Sequence, residues 1–274
     1  MKVAFQGEAG AYSEEAIINH WGDEAEPVPR PYLLDVFEAV ERGKAELGLV
    51  PVENSIEGSV VRTFDLLNER SLRAQGETIL RVVHCLIVNH GVKEVDVKRV
   101  FSHPQALGQS RDYLEKHGYE PVSFYDTAGS VRHIRDNNLR DSAAIASARA
   151  AAVYGMDVLV RGLENHSENY TRFLVVGKDR PRPTGRDKTS LAFVVAHQPG
   201  TLFKALGALA MNGVNMMKIE SRPLIGSPWE YIFFIDVEGH IEDENVVKAM
   251  DELSKHTQYL KHLGSYPMAQ RKVW

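Results

Sequence analysis

The sequence holds a single cysteine, Cys85, in 274 residues. No internal disulfide can form, and one thiol suits a reducing, cytoplasmic setting. The same shortage removes structural zinc sites built on several cysteines. The eleven histidines are scattered, with no H-E-x-x-H or other metal-ligand spacing. No apolar run is long enough to span a bilayer, and Met1-Lys2-Val3-Ala4-Phe5 runs into a strand pattern with no signal-peptide features. A basic excess is missing too: the formal net charge is -5, which argues against nucleic acid as a partner. Neither G-x-G-x-x-G nor G-x-x-x-x-G-K-[ST] occurs, and Gly7-x-x-Gly10 is too short to indicate a nucleotide. What is present, 43% hydrophobic and 25% charged residues, is the composition of a globular protein of one large domain or two ordinary ones.

The first two-thirds alternate short apolar runs with helical patterns, which implies an α/β fold with largely parallel sheets. Strands are expected at 2–6, 47–52, 82–88, 99–101, 121–125 and 143–146, with helices from about residue 13 and over 34–41, 105–117 and 149–154. The stretch 177–190, with Pro181, Pro183, Gly185 and several basic residues, reads as a linker. Beyond it, strands at 190–196, 216–221, 229–237 and 260–264 and helices at 200–211 and 244–255 follow the ferredoxin-like order βαββαβ. The chain therefore divides into 1–180 and 188–274.

In open α/β sheets, ligands bind at the carboxyl ends of strands, beside helix N-termini. The residues at those ends are Asn54 and Ser55, then Ser102, His103 and Gln105, then Asp126 and Thr127, then Ser147. Small uncharged hydrogen-bonding groups in this position suit an anionic small molecule carrying carboxylates. Helix capping alone is the competing account of Ser102, Thr127 and Ser147. His103 and His166 read as structural histidines. The five residues Asn169-Tyr170-Thr171-Arg172-Phe173 lead into an apolar strand. If that stretch is extended, Asn169, Thr171 and Phe173 share one face, and Tyr170 and Arg172 the other. Thr171 would then meet a ligand, while Arg172 would reach a carboxylate or make a structural salt bridge.

Asn169-Tyr170-Thr171-Arg172-Phe173 resembles the N-x-T-R-F signature of the prephenate dehydratase family. The likeness continues through VPVENSIEGSV (50–60), SHPQAL (102–107), DTAGS (126–130) and AAIAS (143–147), while KIESRP (218–223) and WEYIFFIDVEGH (229–240) resemble that family's regulatory ACT domain. One motif departs: the family's G-A-L-V reads Gly200-Thr201-Leu202-Phe203. The resemblance, to the monofunctional type, implies a two-lobed catalytic domain like a periplasmic binding protein. One lobe would hold about 1–78 plus 163–180 and the other 79–162, with a ferredoxin-like ACT domain after them. It implies a carbon–oxygen lyase that turns prephenate into phenylpyruvate for phenylalanine biosynthesis, with L-phenylalanine as feedback effector and no cofactor or metal. Thr171 would be the catalytic residue, and Asn54, Ser55, Gln105, Thr127, Ser147, Asn165 and Arg172 would orient the substrate. Gly200, Leu202, Asn215, Glu220 and Ser221 would bind the effector, in a homodimer or homotetramer assembled through ACT domains. Arogenate dehydratase is the alternative within the class, and a non-enzymatic amino-acid sensor the alternative outside it.

Overall fold

The structure is a computed structural model that describes residues 1–224, 226–227 and 229–269. The end of the second domain, expected at residue 274, lies outside the described residues. The chain begins β1 (Lys2–Gln6), α1 (Tyr12–Trp21), β2 (Glu26–Arg30), α2 (Leu33–Glu41), β3 (Leu47–Asn54), β4 (Gly58–Ser59), α3 (Val61–Glu69) and β5 (Arg73–Arg81). It continues with β6 (Cys85–Val88), β7 (Arg99–Ser102), α4 (Pro104–Gln109), α5 (Arg111–His117), β8 (Glu120–Ser123), α6 (Thr127–Asp136), β9 (Ser142–Ala146), α7 (Ala148–Tyr154) and β10 (Asp157–Arg161). Last come β11 (Tyr170–Gly177), β12 (Asp187–Val194), α8 (Thr201–Met211), β13 (Met216–Pro223), β14 (Tyr231–Glu238), α9 (Glu244–Lys255) and β15 (Tyr259–Pro267).

Two compact units emerge, Met1–Gly58 with Ile79–Phe173, and Ser59–Thr78 with Leu174–Trp274. The first unit is mixed α/β and has two lobes. One is built on the strands ordered β2-β1-β3, the other on the sheet β10-β6-β9-β7-β8. In the first sheet β1 runs parallel to β2 and β3. In the second, β7 is parallel to β8 and β9, whereas β6 is antiparallel to both β9 and β10. In this second sheet the expected parallel pattern thus has one reversed strand, β6. Of the run 82–88 expected as a strand, only Cys85–Val88 forms one, β6; the chain leaves β5 at Arg81, and residues 82–84 connect the two. Between them Val82 N–H bonds to Asn169 O (2.7 Å), and His84 O accepts from Gly162 N (2.9 Å) and Leu163 N (3.2 Å), so the chain's two passages between the lobes brace one another. The apolar face of the second sheet, including Leu86, Val88, Val100, Ala143 and Ile145, packs on Leu107 and Leu114 of α4 and α5. Those two helices were expected as one over 105–117; Ser110, buried with φ -112° and ψ 15°, separates them.

In the second unit β12 pairs antiparallel with β14 and β15, and β13 with β14, which gives the order β13-β14-β12-β15 of a ferredoxin-like βαββαβ fold. Alternation along the strands sends Leu191, Phe193, Ile235 and Val237 into a core shared with Ala205, Leu209, Val246 and Leu253 of α8 and α9. The opposite face is covered as well. Phe64 of α3 stacks near Phe234 (5.4 Å), and Lys261 Nζ donates to Leu67 O, Asn68 O and Arg70 O at the end of α3. Cover on both faces explains why β12 is buried along its whole length from Asp187, where the sequence had read a linker to residue 190. Its polar residues are buried with partners: Asp187 accepts from Thr184 Oγ1 (2.7 Å), Lys188 meets Glu77 (2.9 Å), Thr189 donates to Gly239 O (2.7 Å), and Ser190 to Asp236 (2.5 Å). Among the described residues no helix is long and apolar enough to cross a membrane.

Candidate active site

β3 and β11 bring Asn54 and Thr171 together at the edge of the first lobe. Asn54 ends β3, and its Oδ1 accepts from the backbone N–H groups of Ile56 (2.9 Å) and Glu57 (3.0 Å). That turn fixes which way the side-chain amide faces. Its Nδ2 therefore donates outward, to Asn169 Oδ1 (2.8 Å), Tyr170 O (3.2 Å) and Thr171 Oγ1 (3.1 Å). Thr171 accepts in this bond, and its own hydroxyl hydrogen meets no acceptor among the described residues. A hydroxyl held as acceptor by an amide can donate to something else.

Behind Thr171 the polar groups are connected, from the buried Asn169 and His84 through the half-buried Gln109 to the exposed Glu57. Asn169, with no exposed surface, donates to Gln109 Oε1 (2.9 Å), the C-terminal residue of α4 in the second lobe. Gln109 Nε2 in turn donates to Glu57 Oε1 (3.1 Å). His84 Nε2 lies 2.9 Å from the same Gln109 oxygen, and its Nδ1 lies 2.6 Å from the Tyr12 hydroxyl. Burial pushes the His84 imidazole below its ordinary value and the Tyr12 phenol well above its own, so both are neutral near pH 7. The Cys85 thiol, also buried, is pushed up to about 11 and is unsuited to act as a nucleophile. Gln109 was not among the residues expected from sequence, because the unbroken helix read over 105–117 favoured its first turn. The Gly108-Gln109-Ser110 interruption was the available signal.

The other expected substrate residues fall into two groups. Ser55 Oγ donates to Glu168 O (2.7 Å) and accepts from Tyr170 N (2.9 Å), which locks the turn against β11. Ser147 is 1% exposed, accepts from Ala150 N (3.0 Å) as the cap of α7, and donates to Gly10 O (2.7 Å). The exposed Asn165 accepts from Asp112 N (3.3 Å) at the start of α5. These three side chains are occupied in holding the fold. Gln105 and Thr127, by contrast, sit in the first turns of α4 and α6 with side chains that bond no other described residue, and Asp126 caps α6 through Gly129 N (2.7 Å). Arg172 follows Thr171 on β11 and lies 3.7 Å from Glu53. Ser102 does not cap a helix: it donates to Ile145 O (2.6 Å) inside the second sheet, and the cap of α4 is the His103 ring, which accepts from Gln105 N (3.3 Å). The exposed His166 makes no side-chain bond with another described residue.

The lobes meet again at the β1–α1 turn. Glu8 accepts from Tyr125 and pairs with Arg132 (2.7 Å), which raises the Tyr125 phenol to about 12 by burial and the neighbouring carboxylate. Gly10 has φ +88°, and a Cβ there would sit 2.6 Å from Ala150 Cα. Gly10→Ala should therefore cost roughly 2 kcal/mol or more of stability from strain and overlap together. Denaturant unfolding checks this; an unchanged midpoint would show that the turn can relax away from α7.

Of the expected effector residues, Gly200 and Leu202 line a cavity of about 270 Å³ together with Val195, Phe203, Tyr231 and Phe233. Asn215 Nδ2 instead donates to Glu238 (3.3 Å). Glu220 accepts from Ser59 Oγ (2.7 Å), and the exposed Ser221 bonds through its side chain to no other described residue. Among the described residues no cluster of His, Cys, Asp and Glu could hold a metal ion.

A family model for prephenate dehydratase matches residues 3–181, and one for the ACT domain matches residues 189–255. "Arogenate dehydratase/prephenate dehydratase 2, chloroplastic" of Arabidopsis thaliana is 40% identical over 279 residues, covering 98% of this chain and 73% of its own. A solved structure described as "GqqA- a novel type of quorum quenching acylases" is 38% identical, with a TM-score of 0.91 and 99% of each chain covered. A prephenate dehydratase from Arthrobacter aurescens, solved in complex with L-Phe, is 31% identical with a TM-score of 0.89, covering 97% of this chain and 90% of its own. A match over most of the first two-thirds, a second over the ferredoxin-like part, and 40% identity along nearly the whole length have one reading: the chain belongs to the prephenate dehydratase family and carries its ACT domain.

Proposed function

We propose that residues 1–180 convert prephenate to phenylpyruvate, with Thr171 as the group that assists loss of the ring hydroxyl. The observation that carries this reading is the Asn54–Thr171 bond of 3.1 Å, in which Thr171 accepts and keeps its hydrogen for a ligand. In the reaction the bond from the ring to its carboxylate breaks and releases carbon dioxide. That electron pair enters the ring as the C–O bond on the far side breaks, and the departing oxygen takes up a proton and leaves as water. The driving force is aromatisation, so the protein must place two carboxylates and stabilise a poor leaving group. A threonine hydroxyl is too weak an acid to supply the proton outright; it donates a strong hydrogen bond to the oxygen while a carboxylic acid or water delivers the proton. Gln105, Thr127 and Arg172 are the side chains we assign to the substrate's carboxylates, with Asn54 orienting Thr171.

Purified protein incubated with prephenate should release phenylpyruvate, and no product there would overturn the reading. Arogenate offered in parallel, with phenylalanine as the product, decides which side chain the substrate carries. Amide hydrolysis, which the word acylase implies for one relative, needs a nucleophile beside a base. Thr171 instead has an amide donor beside it, so an N-acylated amine should be left intact.

L-phenylalanine is assigned to the cavity at Gly200 and Leu202 in residues 188–274, where the start of α8 offers backbone N–H groups to its carboxylate. Leu202→Ala removes about 1.4 kcal/mol or more of apolar contact, so the inhibitory phenylalanine concentration should rise about tenfold. Turnover without phenylalanine should stay within about twofold of wild type. Unchanged sensitivity would place the effector elsewhere. Phe203 (80% exposed), Met211 (75%) and Met217 (46%) leave apolar surface on this unit, in keeping with a dimer or tetramer formed through it. A monomer in light scattering at micromolar concentration would refute that assembly. A cytoplasmic location fits the lone buried Cys85.

A further inference from the structure

We infer that His84 is a positioning residue of this site, whose Nε2–H tautomer sets the direction of a chain of side-chain amides ending on Thr171. The inference rests on the role proposed for Thr171. His84 lies between β5 and β6, is 2% exposed, and touches neither Thr171 nor open solvent to any extent. What it does touch is ordered by groups whose roles are unambiguous. Glu57 only accepts, so the Gln109 nitrogen must face it (3.1 Å) and the Gln109 oxygen must face His84 and Asn169. At the other end, the backbone N–H groups of Ile56 and Glu57 require the Asn54 oxygen, which turns the Asn54 nitrogen toward Asn169 and Thr171. Between these anchors every donor meets an acceptor only if His84 Nε2 carries a hydrogen. Nδ1 of the neutral ring is then an acceptor, and the Tyr12 hydroxyl donates to it at 2.6 Å rather than to Val83 O at 3.3 Å.

The opposite tautomer would set two lone pairs against each other across the 2.9 Å gap to Gln109. Rotating the Gln109 amide relieves that clash but presents its nitrogen to the Asn169 nitrogen, and rotating Asn169 passes the conflict to Asn54. The last bond lost is the one from Asn54 Nδ2 to Asn169 Oδ1, which aligns the amide that donates to Thr171. His84 thus acts on the reaction through three intervening amides. A buried polar network of this kind is costly when partly satisfied, which is why the direction is all-or-none.

Long-range 1H–15N spectra of the full-length, histidine-labelled protein test the tautomer without any turnover. The expected result is a protonated Nε2 and an unprotonated Nδ1 at His84; a proton on Nδ1 would overturn the inference. In kinetics, His84→Leu should lower kcat by about 10- to 100-fold with KM changed by less than about threefold, as for a misplaced reacting group. His84→Gln, which can present an amide donor toward Gln109, should recover at least about half of that loss on a logarithmic scale. Equal losses in the two variants, or a folded His84→Leu protein with kcat within about threefold of wild type, would overturn the role. If His84→Leu does not fold, Tyr12→Phe decides: without its donor, Nδ1 should become partly protonated in the spectrum and kcat should fall several-fold. An unchanged spectrum and rate in Tyr12→Phe count against the inference. Should the wild-type protein fail to turn over prephenate, it is the reading of Thr171 that fails, while the spectrum still reports on His84.

Discussion

Thr171→Ala should lower kcat on prephenate by about 100- to 1000-fold, equivalent to about 3–4 kcal/mol of transition-state stabilisation. The size follows from where the charge develops. The leaving oxygen gains negative charge as its bond to the ring stretches, and a fixed donor there is stronger in the transition state than in the bound substrate. KM should therefore change little, and the loss should appear almost wholly in kcat. The surrounding bonds predict that stability will be nearly untouched. Removing the threonine oxygen takes one of three acceptors from Asn54 Nδ2, and Asn169 Oδ1 at 2.8 Å and Tyr170 O at 3.2 Å remain. A loss of about 1 kcal/mol or less is expected in unfolding. Thr171→Ser keeps the hydroxyl without the methyl group that restricts its rotamer, so it should fall between the two. Steady-state kinetics on the three proteins, with denaturation curves beside them, separate the outcomes. An alanine variant within about threefold of wild type would remove Thr171 from the chemistry.

The two residues whose bond carries this expectation were visible in the sequence for a plain reason. Asn54 and Thr171 are polar residues at the rims of the apolar strands β3 and β11, where local structure alone does not require them. The βαββαβ order was legible on similar grounds, since alternation in β14 and the helical period of α9 are local patterns. What the sequence hid depends on partners distant along the chain. Nothing near Ser147 reveals that Gly10 O will take its hydrogen across 137 positions. Gln109 sits in a helical run, and only the break at Ser110 turns it toward Asn169. Glu220 and Asn215 belong to motifs placed by resemblance; their bonds, to Ser59 and Glu238, are set by sheet register and by the fold of residues 59–78. The segment 59–78 itself carries too short an apolar pattern to announce that α3 covers the second face of a sheet formed far downstream. Lys188 was assigned to a linker because a lysine near prolines is ordinarily solvated; its burial follows from the cover on both faces of β12, with Glu77 as its partner.

That lysine gives the largest expected effect on stability. Lys188 Nζ lies 3.0 and 2.9 Å from the two oxygens of Glu77, and the side chains are 9% and 1% exposed. Ala269 N–H also bonds to Glu77 Oε1 (2.9 Å). Lys188→Ala removes this cation from a buried ion pair, which costs on the order of 3–5 kcal/mol. Such a loss is a large share of the stability of an ordinary domain. The pair need not be the best filling for its site, because two charges also surrender their hydration. Glu77→Leu combined with Lys188→Met should therefore recover most of the loss, while each single change does not. Denaturant midpoints for the two single variants and the double variant test this; a double variant no more stable than Lys188→Ala would mean the site needs the ions themselves. The result also governs how regulation is examined. A chain cut in the 177–186 stretch would remove Lys188, the cation paired with Glu77, and strip α3 of the sheet that covers it. Loss of phenylalanine response in such a fragment would then report misfolding of residues 59–78, so the effector site has to be tested by substitutions such as Leu202→Ala in the whole chain.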